Sequence, residues 1–307
     1  MPSSSTTRSS PAAAQAYAAA LESLAHRERS GAIAVSGTDR SAFLQGQLTQ
    51  DVRGLEPGAS RLTAGLTPKG KLLYFGSLVA EADRFLLLLP LDAVAAAVAH
   101  LSRYAVFQKA TVRDVSADYA RFAVYGPGAA GLRLPDGART LPGAWDIAGE
   151  ILAPRTLRAD ALAALASAGS VEMPPETALV LRIEAGRPRV GIDTDASTLP
   201  DEVGLEAAIS TTKGCYVGQE IVARLRTYGR VSRRLVGFRF AGEPLPPGTA
   251  FPDPRKPGHD LGRVTSSALS PRFGGIGLGF AARDVEEGRR FEAAGGGAAV
   301  VVKLPFA

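Results

Sequence analysis

The sequence predicts an α+β protein that closes with a small antiparallel β-barrel. Three observations predict it. Strand-like and helix-like stretches alternate up to residue 230 without regular βαβ spacing, the pattern of a mixed body rather than a doubly wound sheet. Beyond residue 230 every apolar stretch is strand-length, and Gly/Pro turns separate the stretches, as in a barrel or sandwich. The 307 residues are 46% hydrophobic, enough for two or three compact cores. No apolar run reaches the ~18 residues of a membrane span. The expected organisation is a flexible start with an alanine-rich helix over 1–28, a mixed body over 29–230, and a barrel over 231–307.

The elements follow in order. Residues 1–10 are rich in Ser and Thr and predict disorder. They lack the apolar core of a secretory signal. Residues 11–29 predict a helix from their alanine content, and Ile33-Ala34-Val35 a short strand. Ser36-Gly37-Thr38-Asp39 turns into a helix whose Phe43, Leu44 and Leu48 form a core stripe. Gln45 and Gln47 on that helix have no evident role. Strands follow at 61–66, 72–80 and 85–89, then a helix over 91–104, then strands at 111–113 and 122–125. Gly126-Pro127-Gly128 is a turn, with anion cradling as the rarer alternative. Residues 128–145 read as irregular. Helices follow at 160–168 and from Pro174-Pro175 to Gly186, with proline in the first turn where its missing N–H matters least. Barrel strands are expected at 231–240, 262–268, 275–280 and 298–304. The run Gly274 to Gly279 is no dinucleotide loop, because no helix follows it.

The stretch with most chemical content is Thr211-Thr212-Lys213-Gly214-Cys215-Tyr216-Val217-Gly218-Gln219-Glu220. It holds the only cysteine. Val217, Ile221 and Leu225 then recur at helical spacing, Glu220 and Arg224 form an i,i+4 pair, and Tyr228-Gly229 stops the helix. Cys215 therefore falls in a glycine-hinged turn just before a helix. A thiol beside the Lys213 ammonium and a helix N-terminus ionises more readily than a free one. The alternative is a small buried apolar residue with a surface lysine nearby.

Composition sets limits. One cysteine excludes an internal disulfide and a four-thiolate cluster held by this chain alone. His26, His100 and His259 are far apart and show no metal spacing, so no protein-held metal is expected. A formal charge of +5 permits an anionic ligand or weak nucleic-acid contact and requires neither.

Lys213-Gly214-Cys215-Tyr216-Val217-Gly218-Gln219-Glu220 resembles, without a gap, the signature of the YgfZ family. Those proteins bind folate, are similar to the T-protein (aminomethyltransferase) of the glycine cleavage system, and serve iron–sulfur cluster assembly or repair. The resemblance continues through Ile221–Leu225 and Arg233–Phe238, and upstream in Phe43–Val52. It implies a T-protein-like body of two intertwined α+β subdomains with a C-terminal barrel. Leu181-Arg182-Ile183-Glu184-Ala185-Gly186 and Gly191-Ile192-Asp193 resemble a block shared with the T-proteins. There the glutamate matching Glu184 contacts the pterin ring, and a carboxylate suits that amide-like edge. Read without the resemblance, Glu184 is an exposed acid at a helix end.

The sequence also departs from the T-proteins. Their catalytic aspartate segment matches Gly70-Lys71-Leu72-Leu73-Tyr74-Phe75, which carries no carboxylate. A general acid–base step loses its candidate, which counts against aminomethyl transfer. Arg224, Arg226, Arg230, Arg233 and Arg234 form a basic stretch that holds a folate glutamate tail, touches RNA, or faces water. Tyr228 is its one aromatic, which gives little stacking platform. The expected function is a tetrahydrofolate-binding accessory factor for iron–sulfur enzymes. Cys215 and Lys213 carry the chemistry, and Glu184, Lys213, Arg224 and Arg233 contact the ligand. A one-carbon transferase and an RNA-binding factor are the alternatives. Expected partners are folate and iron–sulfur client or assembly proteins, in the cytoplasm, with no membrane contact.

Overall fold

The computed structural model describes residues 10–143, 147–227, 229 and 231–307. The chain opens with α1 (Pro11–Glu22), β1 (Ala25–Arg29), β2 (Ala32–Ser36), α2 (Arg40–Gln47) and β3 (Ser60–Leu66). Then come β4 (Leu72–Ala80), β5 (Arg84–Leu88), α3 (Leu91–Ala105), β6 (Thr111–Asp114) and β7 (Tyr119–Tyr125). β8 (Arg139–Pro142), β9 (Gly149–Pro154), α4 (Arg158–Ser167), β10 (Val171–Glu172), α5 (Pro175–Glu184) and α6 (Gln219–Thr227) follow. The last six strands are β11 (Arg233–Phe240), β12 (Ala250–Pro252), β13 (Asp260–Ser270), β14 (Gly274–Ala282), β15 (Arg290–Glu292) and β16 (Ala298–Val302).

Two compact units result, and the chain visits them alternately. The first takes the described residues of Met1–Arg29 and Ala120–Leu181; the second takes Ser30–Tyr119 and Arg182–Ala307. The first holds a five-stranded sheet in the order β10-β1-β7-β9-β8. Its core is Leu24, Phe122, Val124 and Ile151 with Ala161 and Leu165 of α4. Residues 25–29, expected to continue the first helix, instead form β1. After Ser23 the run His-Arg-Glu-Arg has no apolar helical face, and it pairs with β7 on one side and β10 on the other. Tertiary pairing overrides local propensity there.

The second unit holds an antiparallel sheet, β3-β4-β5-β2-β6, and a six-stranded antiparallel sheet, β12-β13-β14-β11-β16-β15. In the first of these sheets Ile33, Val35, Leu78 and Leu87 pack with Phe43, Leu44 and Leu48 of the α2 region and with Val94, Ala97 and Leu101 of α3. The core stripe expected on α2 is thus present. The six-stranded sheet is nearly closed: Phe251 of β12 and Phe291 of β15, its two end strands, bring their rings to 5.1 Å between centroids. Phe238 packs against both. β12 and β15 are three residues each, too short to show as an apolar pattern. Of the stretch read as irregular, 128–145, part is β8, and Ala144 and Trp145 lie outside the described residues. Among the described residues no helix is long and apolar enough to cross a membrane.

Candidate functional site

Cys215 is exposed, on the loop that leads into α6. The residues that follow it, Tyr216 to Gly218, are held by hydrogen bonds and close packing. Gly218 (φ +82°) sits against the turn 67–70: a Cβ there would stand 2.6 Å from the Thr67 carbonyl and 3.1 Å from Gly70 Cα. Gly70 has φ +70°, and a Cβ on it would meet Ile221 Cβ of α6 at 2.9 Å. Two glycines at one crossing let the turn and the loop touch, and both left-handed conformations suit glycine alone. Val217 N–H donates to the Gly46 carbonyl on α2, and Tyr216 N–H to Gln219 Oε1. Beside the thiol, Gly214 faces open space, with Arg53 Nη2 3.9 Å from the position of its missing Cβ.

Lys213 does something the sequence did not indicate. It is 8% exposed. Its Nζ donates to the carbonyls of Gln45 (2.8 Å), Leu48 (2.6 Å) and Gln50 (3.0 Å). Those are acceptors at and beyond the C-terminus of α2, where helices leave carbonyls without partners. Burial pushes its pKa down to about 8, with Asp51 opposing and Arg53 reinforcing that shift. The three carbonyls pull the other way, because only the ammonium form carries three donors. The cation expected beside the thiol is therefore a clasp that joins the Cys215 loop to the α2 segment. The Tyr216 ring lies 5.1 Å from Nζ, and burial raises the pKa of its hydroxyl.

The α2 segment is held as firmly. Gln45 Oε1 accepts from Val52 N–H at 2.8 Å, which pins the residues after the helix and gives Gln45 a role. Gln45 Nε2 and Gln47 Oε1 are buried without a partner among the described residues. Thr49, fully buried, donates to the Ala208 carbonyl and accepts from Ala64 N–H. Gln50 Nε2 donates to the Ala207 carbonyl, and Ser210 N–H to the Thr49 carbonyl. Thr49 and Gln50 escaped sequence reasoning, since polar residues after a helix read as a loop. Asp51 is held below the ordinary carboxylate range, first by Arg53 N–H and further by Gln45, Lys213 and Arg61.

Glu184 belongs to a second cluster, at the end of α5. It is 7% exposed rather than an exposed helix-end acid. Ser270 Oγ, at the end of β13, donates to its Oε1 at 2.6 Å, and Phe306 N–H donates to its backbone carbonyl. Nine residues on, Asp193, 1% exposed, accepts from Arg182 Nη1 and Arg189 N–H at one oxygen and from Thr265 and Ser266 hydroxyls at the other. All its acceptor directions are filled, so it fastens the α5 end to β13.

The arginines divide. Arg233 stacks over Phe280 at 4.2 Å and reaches Glu202 (3.3 Å) and Ser197 Oγ (3.2 Å). Arg234 donates to the Val285 carbonyl, and Arg226 pairs with Asp201. Arg224 is exposed on α6. The expected Glu220–Arg224 pair is not among the ion pairs of the described residues; Arg226 makes the helix's pair instead. Tyr228, Arg230 and Asp146 lie outside the described residues. Tyr74 and Phe75, in the segment where the T-proteins keep their aspartate, are core residues. Tyr74 Oη is 3.0 Å from His100 Nδ1, and burial raises its pKa. Among the described residues no cluster of His, Cys, Asp or Glu is placed to hold a metal ion.

The tRNA-modifying protein YgfZ of Edwardsiella ictaluri is 34% identical over 245 residues, covering 70% of both chains. The chain belongs to the YgfZ family. The tRNA-modifying protein YgfZ of Colwellia psychrerythraea is 30% identical over 220 residues, 67% of this chain and 68% of that one. Among solved structures, the glycine cleavage system aminomethyltransferase T of Bartonella henselae superposes with a TM-score of 0.83 at 25% identity. It covers 95% of this chain and 89% of that one. The fold is that of the T-protein, as the resemblance implied. No protein-family model matches the chain.

Proposed function

We propose that this member of the YgfZ family is a reduced-folate-binding accessory factor for the assembly or repair of iron–sulfur clusters, with Cys215 as its working thiol. The observation that carries the reading is the contrast at the loop: Lys213 and Tyr216 are buried, while Cys215 is exposed. A rigid loop that presents one sulfur to solvent suits transient contact with a client's cluster or ligand. One thiol does not house a cluster, so the cluster belongs to the client.

The T-protein fold supports folate as the ligand, and Glu184 supports it chemically. A buried carboxylate at the end of a helix, held by a hydroxyl, fits the donor-rich edge of a pterin. A bound reduced folate would supply one-carbon chemistry at its ring nitrogens. Here the chain contributes binding and orientation through Glu184, with the exposed Arg224 as a partner for an anionic tail. Tyr74 and Phe75 offer no carboxylate to move a proton to or from such a ring nitrogen. That counts against aminomethyl transfer.

Titration calorimetry with tetrahydrofolate tests the ligand. Glu184→Ala is expected to weaken binding by about 1.5–3 kcal/mol, as for a hydrogen bond to a charged group. Equal affinity of variant and wild type removes Glu184 from the site. The iron–sulfur role is tested in cells: Cys215→Ala is expected to lower iron–sulfur enzyme activities under oxidative stress with the protein at normal abundance. A second reading comes from the relatives' name, tRNA-modifying protein: direct contact with tRNA. It requires affinity that falls steeply with salt, and a flat salt response rejects it.

A further inference from the structure

The geometry points to Ser270 as a positioning residue for the ligand-binding carboxylate of Glu184; the inference rests on the folate reading of that carboxylate. Ser270 ends β13 and is 3% exposed. Its Oγ accepts the backbone N–H groups of Arg272 and Phe273, each at 3.0 Å. A serine hydroxyl has two acceptor directions and one proton. With both acceptor directions filled by the turn, the proton has one direction left, and Glu184 Oε1 lies along it at 2.6 Å. The turn therefore sets the hydroxyl, and the hydroxyl sets the carboxylate. The rest of the turn is stiff as well: the Phe273 ring carries the guanidinium of Arg272 at 4.8 Å and that of Arg239 at 5.4 Å, and it packs on Phe306. The Phe306 N–H in turn fixes the Glu184 backbone carbonyl.

Ser270 so restricts the rotation of a carboxylate on a long, flexible side chain. Pre-orientation of this kind contributes to affinity by lowering the ordering needed on binding. It also selects ligands whose donors match the fixed carboxylate plane. A serine in a strand-end turn carries no sequence signal for this role.

The test is a double-mutant cycle on tetrahydrofolate affinity with melting temperatures alongside: wild type, Ser270→Ala, Glu184→Ala and the double variant. Ser270→Ala is expected to weaken binding about tenfold, and the double variant to bind no worse than Glu184→Ala, because Ser270 acts only through the Glu184 carboxylate. Ser270→Thr keeps the hydroxyl and is expected to restore most of the affinity. Ser270→Cys keeps a weak acceptor for the turn and only a weak S–H donor toward Glu184, so it reports on the weakened donor even where alanine prevents folding. Unchanged affinity in folded Ser270→Ala or Ser270→Cys, or additive losses in the double variant, overturns the positioning role while leaving the folate reading intact. No binding by wild type overturns the folate reading itself, and the positioning role falls with it.

Discussion

At the scale of single residues, neighbours in sequence do opposite work. Lys213 and Cys215 are two positions apart, yet one is a buried clasp and the other an exposed thiol. Lys213→Ala would strand the Gln45, Leu48 and Gln50 carbonyls. The expected loss is on the order of 3 kcal/mol, since a buried acceptor without its donor costs about 1–3 kcal/mol. Urea unfolding measures it, and a change under 1 kcal/mol would show that the clasp is ornamental. Cys215→Ala touches an exposed side chain, so its expected effect is within about 0.5 kcal/mol. The same thiol is expected to react quickly with iodoacetamide in the folded protein. Slow alkylation together with a large loss of stability would mark Cys215 as packing instead.

At the scale of elements, the sequence showed what rests on periodicity and hid what rests on contact. Helix α2 was legible from Phe43, Leu44 and Leu48, and the strands β4, β5, β7 and β14 from their apolar runs. Strand β1 was not, because His26 to Arg29 gain strand structure only from the partners β7 and β10. The Cys215 loop was legible as a glycine-hinged turn, but the three carbonyls that capture Lys213 lie about 165 residues earlier and no local pattern announces them. Glu184 was legible as a candidate and Ser270 was not, for the same reason. The glycines of β14 give this a test. Gly277 lies where a Cβ would stand 2.8 Å from the Ser266 carbonyl and 2.9 Å from the Phe240 ring. The repeated glycines are thus a packing device that lets β13 and the Phe238 and Phe240 rings close onto the strand. Gly277→Ala is expected to cost about 1–3 kcal/mol through overpacking. Gly242→Ala, with nothing within 4 Å, is expected to leave the melting temperature where it was. Equal melting temperatures for both variants would remove glycine packing from the account of the barrel.

At the scale of the whole molecule, each compact unit carries one histidine, His26 buried and His100 partly buried, whose pKa is lowered. His26 lies in the first unit, with Nδ1 2.9 Å from Ser170 Oγ; burial lowers its pKa, opposed by Glu172 and Glu28. His100 lies in the second; burial and then Arg103 lower its pKa. Its Nδ1 meets Tyr74 Oη, and its buried Nε2 has no partner among the described residues, so a proton there would find no acceptor. The sign follows from proton counting. In the unfolded chain both rings protonate near their ordinary value of 6.5, while in the folded chain they stay neutral to lower pH. As pH falls through 6.5 the unfolded state takes up more protons, and stability declines by at most about 1.4 kcal/mol per pH unit for each ring. Above that range these two groups contribute no slope. The carboxylates whose pKa is lowered, Glu28, Asp51, Asp195 and Asp253, titrate from 4.5 or 3.8 downward, so their loss comes at more acid pH. Urea unfolding between pH 8 and 5 is therefore expected to show, once pH is below the value of about 8 to which burial lowers Lys213, a level stretch and then a fall that begins near 6.5. His100→Phe is expected to flatten part of that fall, because it removes the ring that titrates. A stability that is level from pH 8 to 5, or a fall that His100→Phe and His26→Phe together leave unchanged, would show that neither buried ring governs the acid limit of the fold.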